Sequence, residues 1–371
     1  MTSAPGLEQR TATLRAQLAQ RLAEAGELPD PAWRAAFERV PRHVFVPYFY
    51  APGGDRIAHD VPEQREQWLA QVYDDKALVT HRTRGVATSS SSQPSLMASM
   101  LHALDVTDTT TMLEVGTGTG YNAALLAHRL GNDRVTTVDV LPELTEAASA
   151  RLSTAGYRPR VVTGDGALGH PEGGPYDRII ATCRVGSVPS AWLEQLAGDG
   201  LLVAPVGTGL ARVRKTGTGK AQGRFIGPAW FMPLRAGDGC GTPHGNLAAL
   251  DDAEPRVGRL PASALADVRF RFLASLVEPG LTWQYPSTDA RGVPTSARCW
   301  AADGSIAGID EDGRVTQAGP RGLWTALEEA HDLYERAGAP EHDRYGLVLT
   351  PSEQRVWLDA PEGPSWPLPT G

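Results

Sequence analysis

The run Leu113-Glu114-Val115-Gly116-Thr117-Gly118-Thr119-Gly120 constrains this chain more than any other stretch. An apolar segment that reads as a buried strand runs directly into three glycines in five positions. Glycine takes left-handed backbone conformations without a Cβ clash, so the chain can turn sharply there and bring its backbone close to a ligand. A helical pattern from Asn122 to Leu130 follows, and the first turn of a helix offers unpaired N–H groups. Strand, glycine loop and helix in this order open a doubly wound sheet, whose ligands sit at the carboxyl ends of the strands.

The pattern downstream agrees. Apolar runs predict strands at Thr111 to Val115, Arg134 to Val140, Arg160 to Thr163, Arg178 to Thr182 and Leu201 to Pro205. Helices are predicted between them at Asn122 to Leu130, Pro142 to Ala155 and Pro189 to Leu196, an alternation that implies right-handed crossovers and a parallel sheet. Val213 and Phe225 flank a Gly-rich turn and suggest a hairpin; Gly219-Lys220 is followed by Ala221, which rules out a phosphate-binding P-loop.

Upstream, Leu14, Leu18 and Leu22 mark one face of a helix from about Leu7 to Ala25, and Pro31 opens a second helix that Pro41 closes. From Arg42 to Ser95 the pattern is irregular, a loop-rich cover. Residues 235–260 read as a linker or surface excursion. Beyond them Asp303-Gly304 and Asp312-Gly313 signal turns between short strands, and Leu323, Trp324, Leu327, Ala330, His331 and Tyr334 recur at helical spacing. The fold class expected is α/β: a doubly wound, mostly parallel, Rossmann-like sheet with a smaller C-terminal α+β domain. The divisions expected are a cover at 1–95, a ligand-binding core at 96–234 and an extension at 235–371.

Composition narrows the function. A formal net charge of -8 argues against nucleic acid as a partner, and Arg212-Val213-Arg214-Lys215 reads as a solvated strand face. No apolar run approaches the roughly 20 residues of a membrane span, and the first residues lack the pattern of a secretory signal, so a cytoplasmic enzyme without a membrane partner is expected. Cys183, Cys240 and Cys299 are too few and too scattered for a disulfide framework or a metal site, so no metal is expected.

Three acids stand at or near the ends of successive strands. Glu114 lies within an apolar strand, where a charge is costly without partners. Asp139 ends the second strand, where a carboxylate can accept from ribose hydroxyls. Asp165-Gly166 follows the third. Each also has a plain structural role open to it: Glu114 as a loop acceptor, Asp139 as a helix cap, Asp165 as a turn residue. Together they favour an adenosyl nucleoside over a dinucleotide, whose Gly-x-Gly-x-x-Gly would place the last glycine one residue later than Gly120.

Leu113 to Gly120 with Tyr121-Asn122-Ala123-Ala124 resembles the first motif of the protein-L-isoaspartate O-methyltransferase family. Arg42 to Pro47, Tyr73 to Leu78, Gly164-Asp165-Gly166, Tyr176 to Ile180 and Leu202 to Gly207 also resemble family segments in the family's order, over about residues 30 to 234. The resemblance implies S-adenosyl-L-methionine as cofactor and S-adenosyl-L-homocysteine as product, held by Glu114, Gly116, Thr117, Gly118, Gly120, Tyr121, Asp139, Val140, Asp165 and Gly166. It implies a peptide or protein substrate bearing an aspartyl or isoaspartyl carboxylate. Ser92-Gln93-Pro94 matches the family's Ser-x-Pro segment, which implies that Ser92 lies beside the reacting carboxylate. Two departures mark a divergent branch: Thr88-Ser89-Ser90-Ser91 is more polar than the family segment, and Asp139 stands where repair enzymes more often carry Glu.

The whole chain, including Trp300 to Ser305, Gly319 to Trp324 and Val356 to Asp359, resembles the longer methyltransferases encoded beside ATP-grasp peptide cyclases in actinobacterial ribosomal-peptide (graspetide) pathways. That resemblance implies methylation of an aspartate in a cyclised precursor peptide, with the ester closing to an aspartimide. Repair of isoaspartyl residues in damaged proteins, and a non-catalytic adenosyl-ligand protein, are the alternatives. The extension is a candidate for reading the peptide; buttressing the first domain or forming a dimer contact are the plainer roles.

Overall fold

The computed structural model describes residues 5–235 and 247–369. Helices α1 (Pro5–Glu24) and α2 (Pro31–Arg39) form where the leucine spacing and the prolines place them. Asp30 caps α2 by accepting the Ala32 N–H at 2.8 Å, which satisfies one of the free donors of the first turn.

The stretch expected to be irregular is instead a set of short elements: α3 (Arg42–Phe45), β1 (Tyr48–Tyr50), β2 (Arg56–Ala58), α4 (Arg65–Val72), β3 (Leu78–Thr83) and β4 (Val86–Ser91). The strands form an antiparallel sheet in the order β2-β1-β3-β4. Elements of three to eight residues carry too few periods to register as a pattern, and Pro47, Pro52, Gly53 and Gly54 fall between them. The serine run is therefore mostly strand. Helix α5 (Pro94–Ala103) begins two residues after Ser92.

The core alternates as expected through β5 (Met112–Val115), α6 (Tyr121–Leu130), β6 (Val135–Asp139), α7 (Pro142–Thr154), β7 (Arg160–Thr163), β8 (Tyr176–Ala181), α8 (Ser190–Gln195) and β9 (Leu196–Val206). The hairpin β10 (Gly209–Gly217) and β11 (Lys220–Pro228) turns at the predicted glycines. Strands β7, β6, β5, β8 and β9 run parallel in that order, so the chain order reverses at β5. The glycine loop lies at this switch point, where open α/β sheets bind their ligands.

Beyond residue 246 come β12 (Arg256–Val257), α9 (Val268–Val277), β13 (Thr282–Gln284), β14 (Ala297–Trp300), β15 (Ile306–Ile309), β16 (Arg314–Ala318) and α10 (Leu323–Arg336). The five strands make a separate antiparallel sheet, and both Asp-Gly signals fall in its turns. The last strands, β17 (Tyr345–Leu349), β18 (Gln354–Leu358) and β19 (Ser365–Pro367), return to the main sheet: β17 pairs with β11, Ala221 opposite Leu349 and Arg224 opposite Gly346. The main sheet thus reaches ten strands.

Side-chain alternation gives that sheet two buried faces. Met112, Ile180 and Val203 pack with Trp33, Phe37 and Phe45 of the N-terminal helices. Leu113, Ile179 and Leu202 share the other core with Trp192, Phe270, Phe272 and Leu323. The extension therefore covers one face of the sheet that carries the glycine loop.

Among the described residues no helix is long and apolar enough to cross a membrane, and no group of three or more His, Cys, Asp or Glu is placed to hold a metal ion. Cys240 lies outside the described residues. The basic run on β10 spends its charges on backbone carbonyls: Arg212 donates to Ala103 O at 2.8 Å, Arg214 to Asp199 O at 2.8 Å, and Lys215 to Leu196 O.

Candidate cofactor and carboxylate site

Beyond the carboxyl end of β5 the glycine loop faces β4 across a cleft of about 840 Å³, part of it open to solvent. Gly116 has φ +99°, and a Cβ there would stand 2.6 Å from Thr182 Oγ1. Gly118, at φ +51°, comes so near β4 that a Cβ would lie 3.4 Å from Ser89 Oγ. The glycine loop and the serine run, far apart in sequence, are thus the two walls of one cavity.

A chain of hydrogen bonds holds the loop from below. Glu114 is fully buried. Its Oε1 accepts from Asn122 Nδ2 at 2.7 Å and its Oε2 from Thr137 Oγ1 at 2.6 Å, while Thr137 and Thr117 share a hydroxyl contact of 2.7 Å. Burial pushes the Glu114 carboxyl up to about 7, against the pull of the two donors. Asn122 Oδ1 is buried on the cleft wall without a hydrogen-bond partner among the described residues, an acceptor open to a ligand donor. Asp139 Oδ2 accepts the Gly118 N–H at 2.9 Å and Oδ1 the Leu141 N–H at 3.3 Å. A carboxylate has about four lone-pair sites, so capacity for hydroxyl donors remains beside these two bonds.

Of the residues singled out by sequence, Ser92, Glu114, Gly116, Thr117, Gly118, Tyr121, Asp139, Val140 and Gly166 all line this cleft. Gly120 and Asp165 do not. Gly120, at φ +87°, lies against α7, where a Cβ would be 3.2 Å from that of Ala148, so its role is to seat the loop. Asp165 Oδ1 accepts the Ala167 N–H at 2.9 Å, the turn role that its Asp-Gly context allows.

Sequence reasoning passed over several residues. Arg42 is wholly buried and donates to the carbonyls of Val72, Asp74, Lys76 and Ser92 at 2.9–3.1 Å and to Ser91 Oγ at 3.3 Å. It ties the loop after α4 to the end of β4, and the Ser91 hydroxyl is committed to it. Its guanidinium also lies 5.8 Å from the ring of Tyr121. Phe231 to Arg235 close the cleft from above, and Arg235 Nη2 donates to Thr88 O at 2.6 Å. Cys183 is on the wall too, its thiol pushed up to about 12 by burial and by Asp139 and Glu114, which keeps it protonated. The signal for Arg42 lay in an Arg-His-Val-Phe segment with no apolar reason to bury a charge; nothing local marked Arg235.

The cleft suits an adenosyl ligand: backbone free of Cβ atoms beside β5, an acceptor with spare capacity at the end of β6, and an unpartnered amide oxygen between them.

A family model for protein-L-isoaspartate(D-aspartate) O-methyltransferase (PCMT) matches residues 13–239. The chain is 36% identical over 204 residues to a protein-L-isoaspartate O-methyltransferase of Methanococcoides burtonii, a span of 54% of this chain and 89% of that one. It is 36% identical over 205 residues to the protein of the same name from Gloeobacter violaceus, spanning 54% and 88%. A solved structure of a protein-L-isoaspartate O-methyltransferase shares the fold with a TM-score of 0.54 at 22% identity, over 93% of this chain and 100% of that one. The fold is that of the class I S-adenosylmethionine-dependent methyltransferases. The matched span includes both walls of the cleft, and the chain belongs to the protein-L-isoaspartate(D-aspartate) O-methyltransferase family.

Proposed function

We propose that this chain is an S-adenosyl-L-methionine-dependent carboxyl O-methyltransferase acting on an aspartyl-type carboxylate of a peptide or protein. The observation that carries the reading is the meeting of the glycine loop and β4 across one cleft, with Ser92 on its wall. The cofactor supplies a sulfonium methyl: an O–C bond forms as the C–S bond breaks, its electron pair staying on sulfur in S-adenosyl-L-homocysteine.

A carboxylate with an ordinary pKa of about 4 is already the nucleophile at neutral pH, so the protein needs no strong base. Its task is to align the carboxylate and exclude water. The transfer neutralises the carboxylate, so a strong cationic partner on the reacting oxygen would favour the ground state over the transition state. A single hydroxyl, that of Ser92, orients without that penalty. Glu114 and Asn122 fix the loop, Asp139 offers acceptors at the end of β6, and the elements before α5 cover the cleft.

The finer proposal is that the substrate is a ribosomally made, cyclised precursor peptide. Its methyl ester is a better electrophile than the carboxylate, and the next backbone nitrogen displaces methanol to leave an aspartimide. What supports a dedicated substrate is an extension that shares the core of the sheet and reaches the neighbourhood of the cleft. Repair of L-isoaspartyl residues is the second reading, favoured by the names of the relatives. The fold match over 93% of this chain also means that an extension alone does not separate the two.

Labelled cofactor is to be incubated with an isoaspartyl peptide and with a cyclised precursor peptide. Turnover of the second supports the biosynthetic role; turnover of the first alone overturns it in favour of repair. Cofactor binding with transfer to neither overturns both and leaves a non-catalytic adenosyl-ligand protein.

A further inference from the structure

A second cavity adjoins the first. It holds about 1070 Å³, part of it open to solvent, between the core and the extension. The two share Pro233 and Leu234 as a common wall, and they divide one stretch of chain: Thr182 and Cys183 line the first, Arg184 and Val185 the second. The shared wall is fixed in place, because Arg184 N donates to Met232 O and Leu234 N to Arg184 O, both at 2.8 Å. The far side comes from the extension, with Ser275, Leu276 and Pro279 at the end of α9 and Leu368 and Pro369 after β19.

The lining is largely apolar, with Arg184 as its charged residue. Burial lowers the pKa of Arg184, with no carboxylate to offset it, and its guanidinium has no ion-pair or hydrogen-bond partner among the described residues. By contrast, two arginines of the extension sit on carboxylates: Arg256 on Glu328 at 2.8 Å, and Arg321 on Asp303 at 2.7 Å and on Glu278. A guanidinium drawn partly out of water stays charged and is most stable when a carboxylate meets it.

We infer that this second cavity is a peptide subsite, in which Arg184 pairs with the carboxylate of a Glu or Asp near the residue being methylated. The inference rests on the proposed methyl transfer to a peptide and names a feature of its substrate: a second, unmethylated acid within reach of Pro233 and Leu234. The cofactor cleft and the subsite would then be filled together, the peptide crossing the shared wall.

The test uses short isoaspartyl peptides with a single Glu placed one to four residues to either side of the target, against an all-Gln parent. Binding of fluorescein-labelled peptides in saturating S-adenosyl-L-homocysteine reads the subsite without any transfer. Wild type is expected to bind one Glu placement about tenfold more tightly than the parent, the order of a charge-assisted hydrogen bond in a half-buried site. Where transfer occurs, the same placement lowers KM with kcat nearly unchanged. Arg184→Gln should erase the difference, and Arg184→Glu should reverse it in favour of a Lys at that position, with homocysteine-cofactor affinity unchanged in both. No Glu advantage at any placement in wild type, or an equal advantage in Arg184→Gln, overturns the subsite. Preferential binding without methylation leaves the subsite standing and overturns the repair reading instead.

Discussion

Glu114 Oε1 and Asn122 Nδ2 lie 2.7 Å apart, joining the strand before the glycine loop to the first turn of the helix after it. The bond fixes both ends of the loop, so the protonation of one buried carboxyl bears on the shape of the cleft.

Burial raises Glu114 from 4.5 to about 7. A raised acid pKa means that the folded state holds its proton where the unfolded state has lost it. The associated stability is full below about pH 4.5 and is lost as pH rises through 7. The loss is on the order of 3–4 kcal/mol, for a rise from 4.5 to about 7 at about 1.4 kcal/mol per unit. Glu114→Gln keeps the shape and removes the titration. Urea unfolding of the ligand-free protein at pH 5 and pH 8 should show wild type losing stability relative to this variant, and parallel behaviour of the two would mean that Glu114 does not titrate in this range.

Ser91 and Ser92 are neighbours with different tasks. Ser91 is buried and accepts from Arg42, so Ser91→Ala should cost about 1–2 kcal/mol of stability with kcat within a factor of two or so of wild type. Ser92 lines the cleft, and in the proposed reaction its hydroxyl orients the carboxylate, so Ser92→Ala should leave the melting temperature nearly unchanged and lower kcat about tenfold through lost alignment. Thermal unfolding and steady-state kinetics on one peptide check both, and the reverse pattern would assign the positioning role to Ser91.

At Gly116 two costs add. Its φ of +99° strains any L residue, and an added Cβ meets Thr182 Oγ1 at 2.6 Å. Gly116→Ala should destabilise by about 1–3 kcal/mol and weaken S-adenosyl-L-homocysteine binding at least about tenfold. Thr182→Ala removes the clash but not the backbone strain, so the double variant should recover part of the affinity. Calorimetric titration of the four proteins gives the coupling; full recovery would show that the strain is unimportant.

The parallel core was legible because its signals are local. Leu113 to Leu130 carries strand, turn and helix within eighteen positions, and the acids within β5 and at the end of β6 stand where the strand pattern puts them. The cover was not legible, because β1 to β4 are too short to show a period and the burial of Arg42 depends on carbonyls 30 to 50 residues away. Arg235 bonds to a carbonyl 147 residues earlier, and nothing in its own neighbourhood marks it as a cleft residue. The pairing of β17 with β11 is hidden in the same way. Leu347 and Leu349 fall in the stretch expected to be a C-terminal extension, and only the free edge of β11 makes them part of the main sheet.

That pairing has a measurable consequence. Tyr345, Leu347, Leu349, Val356 and Leu358 are buried in the same core as Leu113 and Ile179 of the parallel strands. A separable extension would let the core unfold on its own, with a transition blind to substitutions after residue 340. A shared core predicts one cooperative transition. Leu347→Ala should destabilise by about 2–5 kcal/mol, lower the single melting temperature of the whole chain, and shift the midpoint reported by bound S-adenosyl-L-homocysteine by the same amount. A chain ending at residue 343 would bare the edge of β11 and remove seven buried apolar side chains, Trp357 and Leu368 with these five, each worth about 1.5–3 kcal/mol. Their sum is of the order of a whole domain's stability of about 5–15 kcal/mol, so the shortened chain should aggregate. If it stays soluble and binds S-adenosyl-L-homocysteine with wild-type affinity, the sheet is complete at β11 and the last strands are only an addition to it.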